Sequence, residues 1–162
     1  MNLRSAIVLF SIVCITALTG WQLEQQFDRG AFYSAISSKE LEKVDSQLDV
    51  LKAATVNNRE GFEGALLMKK AGLIVGAKKK LDMFKSGHDK LESVLSKDTS
   101  NTELRFLRLI IQENAPRILK YRKEIEKDSE NIRKNYKNLP PAVQQAIVNY
   151  SKNSKVLKPA YF

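Results

Sequence analysis

Cysteine and histidine are almost absent from this chain of 162 residues, which has one of each. Cys14 lies in an apolar N-terminal run, so the remaining residues can form neither an internal disulfide nor a cysteine-bound metal site. A zinc site built on His88 would need carboxylates for nearly every other ligand, which is uncommon. The composition therefore argues against metalloenzymes, cysteine proteases and histidine-based triads. We expect no catalytic residue, no cofactor and no metal.

Long apolar runs are also missing, apart from one at the N-terminus. A short basic start ending at Arg4 precedes the apolar residues 6–18, and no charge appears between Arg4 and Glu24. This pattern is typical of a secretory signal. A signal anchor is the alternative, because residues 5–23 approach the length of about 20 apolar residues that a spanning helix needs. We expect residues 1–20 to direct export to the periplasm or the medium, or residues 5–23 to anchor the chain in the inner membrane.

Acidic residues are too few to balance the basic ones. The net charge is +9, and lysines crowd residues 69–90 and 117–137. Such a charge favours anionic partners such as phospholipid, acidic glycan or nucleic acid, although a solvated lysine-rich surface would have the same composition. Nucleic acid is not favoured, because aromatic residues are not interleaved with the basic runs.

Residues 21–162 are predicted to form a single all-α domain of six to seven helices arranged as antiparallel hairpins. The chain shows no strand pattern, and about 140 residues suffice for one domain with its own core. Apolar residues at offsets of three and four predict helices over 28–36, 39–54, 61–73, 81–95, 102–113 and 117–136, with a last one after Pro140. The C-terminal tail, which contains Leu157 and Phe162, is expected to dock on this domain.

Particular residues are predicted to begin or interrupt these helices. Gly87 is expected to break or kink the fourth helix, because glycine costs about 1 kcal/mol in a helix interior. Helix starts are predicted from three capping boxes, in which paired side chains satisfy each other's backbone amides. These boxes are Ser37 with Glu40, Asn57 with Glu60, and Ser100 with Glu103.

The stretch LDMFKSGHDKLESVLSKDTSNTELRFLRL, residues 81–109, resembles the junction between two tetratricopeptide repeats. Asp98 and Asn101 match the turn of that family, while Thr99 replaces its usual proline. The resemblance implies a helical-hairpin binding surface rather than catalysis. The segments EGALLMKKAG, RFLRLIIQENAP and LPPAVQQAI also resemble those of small exported bacterial helical proteins, and this resemblance implies no activity.

The helix predicted over residues 102–113 carries the candidate binding site. Apolar side chains cover most of its circumference, which is typical of a central, buried helix. Arg105, Arg108 and Gln112 form one polar stripe along it. Because a guanidinium is not buried without compensation, these arginines must meet acids, and Glu63 or Asp128 are the predicted partners. The alternative is that the stripe binds an anionic group of another molecule.

The sequence leaves three functional classes open. The first is a non-catalytic interaction or scaffold module that docks to another envelope protein. The second is a binder of anionic lipid or glycan through lysine-rich faces, with membrane contact otherwise limited to an uncleaved N-terminal segment. The third, a hydrolase, is least favoured, because acid pairs such as Asp45 with Asp49 lie one turn apart on an ordinary solvated face. His88 shares a stripe with Leu91 and is interpreted as a packing residue.

We predict that the chain recovered from its native envelope begins near residues 21–27, because the N-terminal pattern is typical of a cleaved signal. Intact-mass measurement checks this directly and also detects lipidation. A full-length mass in the membrane fraction would select the anchor, whereas an uncleaved chain in the cytosol would contradict export altogether.

Overall fold

A computed structural model describes residues 27–162, and the predicted leader lies outside this range. The described residues form seven α-helices and no strand, which confirms the all-α prediction. The helices are α1 (Arg29–Ser37), α2 (Leu41–Ala53), α3 (Arg59–Leu73), α4 (Ala77–Lys97), α5 (Thr102–Asn114), α6 (Ile125–Asn135) and α7 (Pro141–Ser151). Three 3-10 turns cover Arg117–Leu119, Tyr136–Asn138 and Pro159–Tyr161. Within residues 27–162, no helix combines the length and the apolarity needed to cross a membrane.

Two glycines bring the backbones of α3 and α4 together in a helical hairpin. A Cβ atom added to Gly64 would lie 2.5 Å from the carbonyl oxygen of Gly87 and 2.8 Å from the backbone nitrogen of Leu91. Only glycine allows so close an approach between two helices. The predicted break at Gly87 is wrong, because α4 runs unbroken from Ala77 to Lys97 and uses this glycine for packing.

Helix α5 lies at the centre of the fold, as its apolar circumference predicts. Its side chains are buried from Thr102 to Gln112, and those of Leu104, Phe106, Leu107 and Leu109 are fully inaccessible. Burying a large apolar side chain stabilises the folded state by about 1.5–3 kcal/mol, so this one helix contributes much of the core.

The two ends of the described chain close around this helix. Helix α1 packs against α7, and the ring of Phe106 in α5 lies 5.7 Å from that of Tyr33 and 5.8 Å from that of Tyr150. The tail docks as predicted, with Leu157 fully buried and the Ser154 hydroxyl donating a hydrogen bond to Glu113 at 2.6 Å.

The three predicted capping boxes are wrong, since none of the helices concerned begins with a reciprocal pair. Glu40 and Asn58 occupy the N-cap positions of α2 and α3, but neither side chain caps the helix with a hydrogen bond, and Asn58 has a φ of 60°. At the start of α5 the cap is Asn101, whose side chain accepts from the Leu104 amide at 3.0 Å. Glu103 instead binds Arg29 at 2.9 Å, because α1 supplies a charged partner that no local pattern predicts.

The single helix predicted over residues 117–136 is also wrong in its first half. The chain forms one 3-10 turn at Arg117–Leu119, reverses at Lys120 with a φ of 50°, and becomes helical again only in α6. Tyr121 turns inward to pack against α4, which a continuous helix would prevent. Ile118 consequently remains 86% exposed instead of joining the predicted apolar stripe.

The glycine contact between α3 and α4 yields a direct prediction. Gly64→Ala should lower the free energy of unfolding by about 1–3 kcal/mol, because overpacking forces the two backbones apart. Gly72→Ala is the matched control, since an added Cβ meets nothing within 4 Å and alanine favours the helix by up to about 1 kcal/mol. Urea denaturation measures both, and equal stability of the two variants would contradict the close crossing.

Candidate functional site: a basic groove beside a buried arginine network

The polar stripe of α5 meets one buried carboxylate. Asp128 of α6 is fully inaccessible and accepts two hydrogen bonds from Arg108, at 2.7 Å and 2.8 Å, and one from Arg105 at 2.8 Å. Arg105 also donates to the Thr99 carbonyl oxygen at 2.8 Å, and Arg108 donates to Glu92 of α4 at 2.9 Å. The network therefore joins α4, α5 and α6 through charge-assisted bonds.

The electrostatics of this network agree with the structural interpretation of the stripe. Burial by itself lowers the pKa of Arg108, but the hydrogen bonds and charges of Asp128 and Glu92 outweigh it and raise that pKa above its ordinary value. Asp128 is thus confirmed as the partner of both arginines. Glu63 is not a partner, since it pairs with Lys90 of α4 at 3.1 Å.

Glu92 connects the buried network to the protein surface. Its other carboxylate oxygen accepts a short hydrogen bond from the hydroxyl of Tyr121. Burial raises the pKa of Tyr121 well above its ordinary value, and the neighbouring charge of Glu92 raises it further, so this hydroxyl remains a donor. The ring of Tyr121 packs edge-on against Phe84 at 5.8 Å and against His88 at 4.9 Å.

A groove of about 660 Å³ lies between α4 and the segment that follows α5. One wall is the exposed face of α4, and the other is the non-helical chain before α6. Two apolar side chains are open to solvent here, Leu81 at 40% and Ile118 at 86%. The lining residues are Leu81, Phe84, Lys85, His88, Glu92, Gln112 and residues 118–124.

Gln112 lies at the inner side of this groove with an unsatisfied amide. The residue is 1% exposed, and its Oε1 accepts no hydrogen bond from any described residue. Leaving such an acceptor buried and unpaired costs about 1–3 kcal/mol. The other buried side-chain nitrogen or oxygen atom without a hydrogen bond in residues 27–162 is Asp45 Oδ1. It lies 2.6 Å from Lys70 Nζ, so an ion pair neutralises its charge. The Oε1 atom of Gln112 is thus the buried side-chain oxygen of residues 27–162 that meets neither a hydrogen-bond donor nor a cation, and it is closed off from solvent.

The rim of the groove is positively charged. Lys85, Lys120 and Lys123 make no ion pair with another residue of the described chain. Of the two lining acids, Glu92 is neutralised by Arg108, and Glu124 lies 3.7 Å from Lys127. The uncompensated charge at the rim therefore belongs to these lysines and to Arg122, which donates only to backbone carbonyl oxygens, and it attracts an anionic group.

Two acids line the groove and differ in their surroundings. The carboxylate of Glu92 accepts from Arg108 and Tyr121, whereas Glu124 is partly exposed beside Lys127. His88 packs on Tyr121 and has Nδ1 3.0 Å from the exposed Asp89, which supports its interpretation as a packing residue. In the described part of the chain, no three histidine, cysteine or acidic side chains form a group that could hold a metal ion.

The structure separates the three residues predicted as a partner-binding stripe. Arg105 and Arg108 are 7% and 6% exposed and are engaged inside the protein, so their part in partner binding stays a prediction. Gln112 alone of the three lines the groove. Sequence reasoning missed Tyr121 and Glu92, because a helix was predicted through Tyr121 and nothing local indicates that the two side chains meet.

No known protein family, curated protein or solved structure matches this chain. The resemblance to tetratricopeptide repeats therefore stays a prediction. The turn on which it depends is present, with the Asn101 amide donating to Asp98 at 2.9 Å.

We predict that Arg108→Met lowers the free energy of unfolding by about 3–5 kcal/mol, because it removes two of the bonds to a fully buried carboxylate. The control is Arg117→Met at an exposed position, which should change stability by no more than about 0.5 kcal/mol. Urea denaturation compares the two. Equal effects would show that Arg108 is not an internal support, and a stable variant that lost its envelope partner would place this arginine in a binding site instead.

Proposed function

We propose that this protein is a non-catalytic, exported interaction module of the bacterial envelope. In this proposal the groove beside α4 docks an acidic segment of another envelope protein. The observation that carries the proposal is the combination, in one groove, of exposed apolar residues and lysines that make no ion pair with the described residues.

The positive charge of the groove's rim favours an acidic partner segment. Lys85, Lys120 and Lys123 line the groove and have no ion-pair partner among the described residues, so carboxylates of a partner would supply the missing negative charge. Complementary charges of this kind steer the encounter and fix orientation more than they add affinity. Basic segments are disfavoured for the same reason.

The interior of the groove favours a polypeptide over a small anion. Ile118 and Leu81 offer apolar surface that a partner side chain can cover, and the lysines beside them attract carboxylates. An acidic peptide supplies apolar side chains and carboxylates together, whereas a small inorganic anion supplies only the charge. The aromatic contacts of Tyr121 hold the wall in place before binding, which reduces the ordering cost of association.

Binding of anionic lipid or glycan is the second candidate function, and a different part of the molecule favours it. Lysines are concentrated at the turn between α3 and α4, outside the groove, where the surface is convex and exposed. An enzymatic function has less support, because Glu92, one of the two acids that line the groove, is already held by Arg108 and Tyr121.

We predict that a photo-reactive phenylalanine analogue at position 118 of the full chain cross-links to a protein in the native envelope. The adduct should map to an acidic segment, because the unpaired lysines lie beside this position. Mass spectrometry of the adduct identifies the segment. The same analogue at the exposed Asn153, away from the groove, should give no matching adduct.

Charge variants test the specificity of this adduct. Lys120→Gln with Lys123→Gln should reduce its yield by up to about fivefold for each lysine, and Lys134→Gln with Lys137→Gln is the control of equal charge. A lipid adduct, a basic segment, or equal loss in both variants would contradict the proposal.

A further inference from the structure

The turn between α3 and α4 extends beyond the core as an exposed, apolar and basic tip. We define the hairpin tip as residues 72–80, with the sequence GLIVGAKKK. Every residue from 75 to 80 is exposed, and Val75 at its apex is 85% accessible. Ile74 beside it is half-buried, so two β-branched apolar residues stand next to each other at the end of the hairpin.

The charges of the hairpin tip are unfavourable for the isolated fold. Lys78, Lys79 and Lys80 occupy the first turn of α4, which contains no acid. A helix N-terminus carries a partial positive charge, so cations there are repelled and acids are preferred. Residues that are unfavourable for the local fold are typical of functional sites, and an anionic surface would relieve the repulsion of these lysines.

Positive charge continues along the adjoining helix. Lys69 lies one turn before the tip, and burial lowers the pKa of its ammonium group, with the nearby charge of Lys39 lowering it further. All the cations of the tip are lysines. Lysine acts as a compact point charge, whereas the planar fork of arginine suits fixed bidentate recognition, so these residues suit a diffuse anionic surface better than a defined pocket.

From this arrangement we infer that the hairpin tip is a membrane-surface contact, which inserts Val75 and Ile74 among the head groups of an anionic phospholipid bilayer while the lysines bind the phosphates. A convex apex bordered by cations matches a fluid, negatively charged surface, to which each nearby lysine adds roughly fivefold in affinity. This contact is separate from the groove; it rests on the second candidate function, anionic lipid binding, and assigns that binding to named residues. It also differs from any anchoring by the N-terminal segment.

A fluorophore at the apex tests the contact in the full chain. An environment-sensitive dye is attached at position 75 through Val75→Cys, with Cys14→Ser removing the other thiol. Emission should shift to the blue on addition of vesicles that contain phosphatidylglycerol and phosphatidylcholine in equal amounts, and not with phosphatidylcholine alone. Because the dye reports on position 75, binding through the N-terminal segment alone does not produce the shift.

Two triple variants separate the hairpin tip from the overall charge of the protein. Lys78→Gln, Lys79→Gln and Lys80→Gln together should raise the vesicle concentration needed for half of the blue shift on the order of a hundredfold. Lys134→Gln, Lys137→Gln and Lys155→Gln remove the same charge from exposed positions elsewhere and should leave it nearly unchanged. Absence of a blue shift, or equal weakening in both triple variants, would overturn the inference, and failure of cross-linking at position 118 would not affect it.

Discussion

The carboxylate of Asp128 is the point on which the arrangement of the central helices depends. It is fully buried, and its desolvation is offset only because two arginines of α5 surround it. One of these, Arg108, also holds Glu92 of α4, and Glu92 in turn holds Tyr121. A fully satisfied buried network of this kind specifies one packing, since displacing any member leaves a charge without a partner. The wall of the groove is therefore joined to the core by the ion pair of Arg108 with Glu92 and by the hydrogen bond from Tyr121 to Glu92.

The glycine contact between α3 and α4 determines which surfaces remain free. Gly64 and Gly87 let the two helices pack closely, and the parts of α3 and α4 that lead from this contact to the turn are of similar length. In that part of α4, which is its first half, the side chains before Gly87 are exposed or half-buried. This half of α4 supplies both the cations of the hairpin tip and one wall of the groove, so one helix contributes to both proposed contact surfaces.

Both surfaces are basic, yet their shapes favour different partners. The groove is concave and combines the exposed Ile118 with lysines, which suits an acidic peptide that also carries apolar side chains. The hairpin tip is convex and combines Val75 with lysines, which suits a lipid surface. A protein that touched a bilayer with its tip would present its groove to other envelope proteins near that membrane. Net positive charge alone could not distinguish these partners, since it attracts every anion.

Apolar spacing determined the helical class, the central place of α5 and the docking of the tail, because these features follow from local periodicity and burial. It also determined that Arg105 and Arg108 need an acid, since an isolated buried guanidinium is too costly. Which acid they bind was decided by tertiary structure: α6 brings Asp128 to this face, while Glu63 turns to Lys90. Tertiary structure also creates the groove. Its wall exists because Tyr121 donates a hydrogen bond to Glu92, 29 residues away along the chain, and so interrupts a helix that spacing alone predicts. Local patterns describe what each segment can bury, whereas contacts between distant residues decide which of those possibilities the chain adopts.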